Sequence, residues 1–207
     1  MCKCQIFEGG GTILPTETGF FTRKEQQQQW RLGCQVKIKE DMTIKIPEEV
    51  MGIKKWECEV VSNHNVATFI KELVLELPPG ETLDFQAGGY IQIDYPEYDI
   101  QFREMEVEEE YRGDWDKYNL WDLKHKNTEP GYRAYSMANH PAEQGLIILN
   151  IRIALPPPGH ADAPPGVVSS WLFSLKPGDP VMLRGPYGHF AVEPSKRELV
   201  FIGGGAG

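Results

Sequence analysis

Four consecutive residues, Arg133-Ala134-Tyr135-Ser136, have the types needed to hold a flat, phosphorylated molecule. Arginine presents a planar fork of donors that matches a phosphate. Tyrosine offers a ring that stacks and a hydroxyl that reaches a polar group. Serine adds a small donor and acceptor close to the backbone. On a strand, Arg133 and Tyr135 share one face, and Ala134 and Ser136 the other. Alone, the four residues fit better a plain strand with a surface arginine and a half-buried tyrosine. A second signal follows at Gly166-Val167-Val168-Ser169, which opens a stretch with Val168, Trp171, Leu172 and Leu175 at helical spacing. Helix N-termini attract phosphate through unpaired N–H groups, and a glycine there lets the ligand approach closely. Ser169 and Ser170 can add hydroxyl donors. A third signal is the apolar run Leu199–Ile202 passing into Gly203, Gly204, Gly205, Ala206 and Gly207. This pattern suits a parallel strand ending in a pyrophosphate-binding loop.

The cysteines suggest further chemistry. Cys2 and Cys34 are separated by 31 intervening residues, a gap that fits the last two ligands of a plant-type [2Fe–2S] site. On the spacing alone, ordinary reduced thiols fit better. Cys4 and Cys58 read as packing residues. A zinc clip made from all four is a further reading, although the Cys-x-Cys spacing suits it poorly.

The elements that must position these groups are short strands and turns. Gly 21 and Pro 16 among 207 residues favour turns over long helices. The net charge of −9 argues against nucleic acid and anionic lipid as partners. Of that charge, −7 lies in residues 94–132, with twelve Asp/Glu against five Lys/Arg, and reads first as a solvated loop or helix face. No apolar run reaches the roughly 18–20 residues that span a bilayer.

Residues 1–46 form a first block. It has strands at Cys2–Phe7, Gln35–Lys39 and Thr43–Ile46, and a short helix capped by Thr22 with Glu25 three residues on. A linker follows at 47–55. Strands at Lys54–Ser62, Phe69–Leu77, Phe85–Ile93, Tyr132–Met137, Gly145–Ala154 and Val181–Arg184 predict a six-stranded antiparallel barrel over 56–197, interrupted by 94–132. Turns are expected at Asn63–Asn65 and Gly185–Gly188, and another strand at His189–Val192. A third block begins at 198. The opening inside a strand and the close on a glycine loop predict a piece of a longer chain.

Arg133–Ser136, Gly166–Ser169, Gly185-Pro-Tyr-Gly188 and the Gly203–Gly207 loop, in this order, resemble the ferredoxin–NADP reductase superfamily. Within it, further stretches are similar to the electron-input subunits of bacterial sodium-translocating NADH:quinone oxidoreductases. These stretches include Gly9–Glu17, Arg31–Val36, Ala87–Ile93, Glu110–Trp121 and Arg152–Gly159. The resemblance implies a mainly β protein: an FAD-binding barrel preceded by the C-terminal part of a ferredoxin-like β-grasp domain and followed by the first strand of an α/β NADH-binding domain. It implies that Arg133 pairs with the FAD pyrophosphate, Tyr135 stacks on the isoalloxazine, and Ser136 lies near the flavin N5. Tyr135 and Ser136 are thus the catalytic candidates. Ala134, Asn150, Ile151, Arg152 and Ala154 would line the cofactor, and Gly166, Val167, Val168 and Ser169 would bind its phosphates. Gly203, Gly204, Gly205 and Gly207 would open the NADH loop.

Cys2 and Cys34 would ligate the [2Fe–2S] cluster of the intact protein, although two thiolates alone cannot hold one. NADH binding and the cluster are therefore expected of the intact protein rather than of these residues. The resemblance also implies quinone as the electron acceptor, sodium export, other membrane subunits as partners, and a place on the cytoplasmic side of the bacterial inner membrane. The reductase component of a multicomponent monooxygenase shares the same domain order and is the nearest alternative.

Overall fold

The computed structural model describes residues 3–45, 53–157, 159–160, 163–188, 196–200 and 202. Cys2, the 189–192 strand and Gly203–Gly207 lie outside the described residues. The chain divides into two compact units, Met1–Ile53 and Lys54–Gly207.

The first unit is a three-stranded antiparallel sheet. β1 (Lys3–Glu8) lies between β2 (Trp30–Leu32) and β3 (Thr43–Lys45). The expected strand at Gln35–Lys39 is not formed. Instead, the N–H groups of Gln35 and Val36 return to the Leu32 carbonyl and turn the chain. The short helix α1 (Arg23–Gln27) begins in the expected capping box, with Thr22 and Glu25 exchanging side-chain and backbone bonds. Glu17 is fully buried. Burial alone would push its carboxyl up, but Arg31 and the N–H groups of Leu14 and Leu32 hold it below the usual range. Arg31 also donates to the carbonyls of Gly10 and Gly11, tying the glycine loop to this buried pair.

The second unit is built on a six-stranded antiparallel sheet. Its strands are β4 (Lys54–Ala67), β5 (Ile70–Glu76), β6 (Tyr90–Tyr95), β9 (Gly131–Ser136), β10 (Leu146–Arg152) and β11 (Pro180–Tyr187). The spatial order is β10-β5-β4-β11-β6-β9. Strict alternation buries Leu73 and Leu75, Ile91 and Ile93, Ile147, Leu149 and Ile151, and Val181 and Leu183 on one face. β4 does not turn at Asn63–Asn65. A register shift between Val60 and Ser62 lets it run on to Ala67, and the reversal falls at Thr68-Phe69. Likewise Gly185-Pro186-Tyr187, expected as a turn, remains strand, with a cis peptide at Pro186 and a register shift opposite β6.

Among the described residues no ladder joins the edge strands β9 and β10, so the expected closed barrel is corrected to an open sheet whose edges meet at one end. The bonds there come from the chain just past β9. Ala138 N–H donates to Ile148 O at 2.7 Å, and the buried Asn139 amide donates to Leu146 O and accepts from Ile148 N–H. A side chain thereby supplies bonds that a ladder would supply.

Residues 94–132 are a packed layer. They form β7 (Tyr98–Gln101), α2 (Glu109–Lys117) and β8 (Lys124–Asn127), with β7 paired to β8. Trp115 is fully buried among Phe102, Trp121 and Phe173, and its Nε1–H donates to Thr68 O at 3.0 Å. Glu108 accepts from the Asn65 N–H at 2.8 Å. The acidic groups reach solvent, while the aromatic groups between them anchor the layer. α3 (Val167–Ser174) packs against β10, β7 and β8.

The expected parallel strand at Leu199–Ile202 is absent among the described residues. Phe201 lies outside the described residues, and Leu199, Val200 and Ile202 are exposed and pair with no strand among those described. A parallel strand needs neighbours on both sides and a cover on both faces.

Candidate functional site

The N-terminus of α3 is the most specifically built polar feature. Gly166 is its N-cap and gives no side-chain cap, so the first-turn N–H groups of Val167, Val168 and Ser169 have no helical acceptor. The preceding turn is pinned to the chain leaving β10. Gly166 N–H donates to Ala154 O at 2.8 Å, and Ala154 N–H donates to Ser169 Oγ at 3.1 Å. A Cβ on Gly166 would lie 2.6 Å from Ala154 Cβ and 2.7 Å from Ser169 Oγ, so glycine is required by the close approach. The Ser169 hydroxyl is engaged in this clamp and also donates to Gly166 O. Ser170 is fully buried, without a partner for its hydroxyl.

β7 and β8 hold the same helix end from the other side. Tyr98 O–H donates to the Val167 carbonyl and is also bonded to His125 Nδ1 at 3.0 Å. With the tyrosine proton on the carbonyl, the imidazole must donate from Nδ1. Burial pushes Tyr98 up to about 12 and lowers His125, so both are neutral at ordinary pH.

The two sheet edges carry the other expected groups. On β9, Arg133 and Ser136 are exposed and Tyr135 is half-buried against the core. Burial pushes the Tyr135 hydroxyl up to about 12, with the nearby Arg133 charge pulling the other way. The Arg133 guanidinium contacts only the Tyr132 carbonyl, at 3.1 Å, among the described residues. It has no carboxylate partner among them, whereas Arg184 on β11 is held by Asp94 at 2.6 Å. On β10, Asn150 and Arg152 point outward while Ile151 is buried in the core. Beyond Arg152 lies an open cleft of about 860 Å³ with Phe69, Tyr118, Leu120 and Leu123 on its walls.

The structure thus brings Ala154, Gly166 and Ser169 into direct contact, and Arg133 beside Tyr135. Ile151 is a core residue and offers only its backbone. Cys34 is exposed on the turn after β2, and Cys2 lies outside the described residues. Among those residues no group of three or more His, Cys, Asp or Glu could hold a metal ion, and no helix is long and apolar enough to cross a membrane. Tyr98, His125 and Asn139 were not singled out from sequence. Their roles depend on contacts between 7 and 69 positions apart, which leave no local signal. The donor set fits a dinucleotide pyrophosphate: an uncapped helix end, a cradle that a Cβ would fill, and an arginine with no carboxylate partner among the described residues.

Residues 117–192 match a family model described as an oxidoreductase FAD-binding domain. The chain is 57% identical over 206 residues to the F subunit of the Na(+)-translocating NADH-quinone reductase of Pseudomonas aeruginosa (strain UCBPP-PA14), covering 100% of this chain and 50% of that protein. It is 58% identical over 207 residues to the corresponding protein of Methylococcus capsulatus (strain ATCC 33009 / NCIMB 11132 / Bath), covering 100% and 51%. The chain is a homologue of these F subunits and spans about half the length of the curated relatives it matches. Among solved structures, an Amycolatopsis cytochrome P450 reductase is alike in fold, with a TM-score of 0.52 at 22% identity over 93% of this chain and 47% of that one.

Proposed function

We propose that the Lys54–Gly207 unit binds FAD and serves as the flavin portion of an NADH-oxidising electron-input subunit of a sodium-translocating NADH:quinone reductase. The observation that carries the reading is the glycine-capped N-terminus of α3, clamped to Ala154 and left with unpaired N–H groups. Those N–H groups and Arg133 hold the pyrophosphate. Tyr135 provides a half-buried ring against the isoalloxazine, and Ser136 a neutral hydroxyl near N5. Ala134, Asn150, the Ile151 backbone and Arg152 line the ribityl side. Bound there, FAD supplies two-electron acceptance and one-electron release. The chain's own part is to bind and orient it and to keep a fixed charge away from N5.

In the proposed layout, 1–46 belong to a ferredoxin-like domain with Cys2 and Cys34 as ligands of a [2Fe–2S] cluster, 47–55 link it to the flavin domain, and 56–197 are that domain, with 94–132 inserted in it. Residues 198–207 begin the NADH-binding domain, with Gly203–Gly207 as its loop. The intact protein works on the cytoplasmic side of the inner membrane with the other subunits, passing electrons to quinone as sodium is exported. Identity of 57–58% along the whole chain favours this reading over a monooxygenase reductase, to which only a likeness of fold points.

Titrating the purified chain with FAD tests the proposal. Saturable quenching of flavin fluorescence at one FAD per chain is expected, and no binding at micromolar FAD refutes it.

A further inference from the structure

The two ends of α3 are satisfied in opposite ways. At the N-terminus the first-turn N–H groups have no side-chain cap. At the C-terminus three carbonyls each meet a side-chain donor. Ser174 Oγ donates to Trp171 O at 2.7 Å, Asn63 Nδ2 to Leu172 O at 2.9 Å and Lys71 Nζ to Phe173 O at 3.1 Å. Asn63 also donates to the carbonyl of Leu175, the residue that ends the helix. Lys71 is 1% exposed, so β5 holds its amine inside the fold against the helix end. The aligned peptide dipoles of a helix leave partial positive charge at the N-terminus and partial negative charge at the C-terminus. An ammonium on the carbonyl end offsets the negative pole and leaves the positive pole to act on an anion.

The distance is short enough for that charge to matter. At 1.5 Å per residue the eight residues of α3 span about 12 Å. One unit charge at that range, at an effective dielectric constant of about 20, changes the binding of a second about tenfold. Val168 to Phe173 are all buried, so salt screens the path only partly, and about three- to tenfold remains. Asn65 and Ile151, opposite Lys71 on β4 and β10, are uncharged. Glu108 and Glu106 of the 94–132 segment attract the ammonium, and Lys176 beyond α3 repels it. Burial is the largest influence and lowers Lys71 to about 8. The charge is therefore present at neutral pH and lost in mild alkali.

We propose that Lys71, without touching the cofactor, strengthens pyrophosphate binding at the far end of α3 and so couples FAD affinity to the protonation of a buried amine. This role rests on the FAD reading above. By linkage, bound FAD holds the Lys71 proton more tightly, and FAD binding in mild alkali takes up protons. The 94–132 segment takes part through Glu106 and Glu108, which keep the amine charged to higher pH than burial alone would allow.

The test is FAD titration of the full chain from about pH 7 to about pH 9.5, for the wild type and for Lys71→Met, with circular dichroism to check that the variant folds. The wild-type Kd should rise about three- to tenfold over this range. The Lys71→Met Kd should stay level and equal the alkaline wild-type value. A variant that loses affinity equally at every pH and keeps the wild-type slope shows Lys71 to be a structural support only, and overturns the proposal. A wild-type Kd that does not change with pH overturns it too. Calorimetry of the wild type alone, in two buffers of different ionisation enthalpy, needs no variant. Near pH 8.3 it should show an uptake of about 0.3–0.5 proton per FAD bound, the amount a three- to tenfold linkage requires. FAD binding with no proton uptake overturns the role of Lys71 while leaving the phosphate seat standing. No FAD binding at any pH overturns the FAD reading itself.

Discussion

Replacing Gly166 by alanine tests the clamp on which the phosphate seat depends. Gly166 has φ −66° and ψ 128°, a conformation that alanine adopts freely, so backbone strain does not enter. The effect is steric. The new Cβ would lie 2.6 Å from Ala154 Cβ, about 0.8 Å short of the 3.4 Å where ordinary contact begins. Ala154 cannot rotate out of the way, because its contacting atom is a Cβ fixed to the backbone.

If α3 moves back by about 0.8 Å, two hydrogen bonds lengthen. Gly166 N–H to Ala154 O starts at 2.8 Å and Ala154 N–H to Ser169 Oγ at 3.1 Å, and both then exceed the useful range. Two neutral bonds at about 1 kcal/mol each predict a loss of about 2 kcal/mol of stability, within the 1–3 kcal/mol typical of overpacking. The entropic gain of Gly→Ala in the unfolded chain, about 0.4–1 kcal/mol, offsets part of it. The same shift carries the helix N–H groups away from a phosphate, and one weakened charged bond is worth about 1.5–3 kcal/mol. The FAD Kd should therefore rise roughly 10- to 100-fold. Urea melts and FAD titration measure the two effects. Ala154→Gly in the same chain removes the 2.6 Å contact but leaves the 2.7 Å approach to Ser169 Oγ, so it should recover part of both losses. A Gly166→Ala variant with wild-type FAD affinity, or a double variant no better than the single one, would refute the reasoning.

Arg133→Ala should weaken FAD binding by about 1.5–3 kcal/mol, the worth of a charged hydrogen bond. Arg133 is exposed and bonds only its neighbour's carbonyl among the described residues, so the melting temperature should barely move, and an unchanged FAD Kd would remove it from the site. Lys71 concerns stability. It is 1% exposed, donates to Phe173 O at 3.1 Å and lies 5.2 Å from the Phe173 ring. Burial lowers its pKa from 10.5 to about 8, against the attraction of Glu108 and Glu106. Between those values the unfolded chain binds more protons than the folded one, so this group's contribution to stability rises with pH. From about pH 7 to about pH 9 the gain is about 1 kcal/mol. Cys58, Tyr98 and Tyr135, each pushed up to about 12 by burial, favour the unfolded chain as it ionises at higher pH. The measurement is therefore the difference between wild type and Lys71→Met; equal pH slopes for the two would show that Lys71 does not titrate in this window.

Local patterns carried much of the fold. The period-2 runs at 70–76 and 146–152 marked strands, and Leu73, Leu75, Ile147 and Leu149 are all fully buried, because alternation and burial share one period. Lys71 lies in the same parity, so position outweighed residue type. The Thr22–Glu25 capping box formed as spaced, since it needs no partner outside the turn. The Gly166 start of α3 was legible for the same reason. Errors arose where a non-local pairing overruled a local signal. Asn63–Asn65 looks like a turn, but β5 pairs with it and holds it extended. Gly185–Tyr187 looks like a turn and pairs with β4 and β6.

By itself, then, the sequence determined the strand faces, the helix cap at Gly166 and the residue types able to meet a phosphate, because each depends on neighbours a few positions away. Only the tertiary structure decided that Ala154 closes on Gly166, that Tyr98 and His125 grip the same helix end, that Asn139 joins the sheet edges, and that the acidic segment turns Trp115 inward and Tyr118 toward the cleft. These are contacts between distant positions, selected by shape and by the need to satisfy buried polar groups, and no local period encodes them.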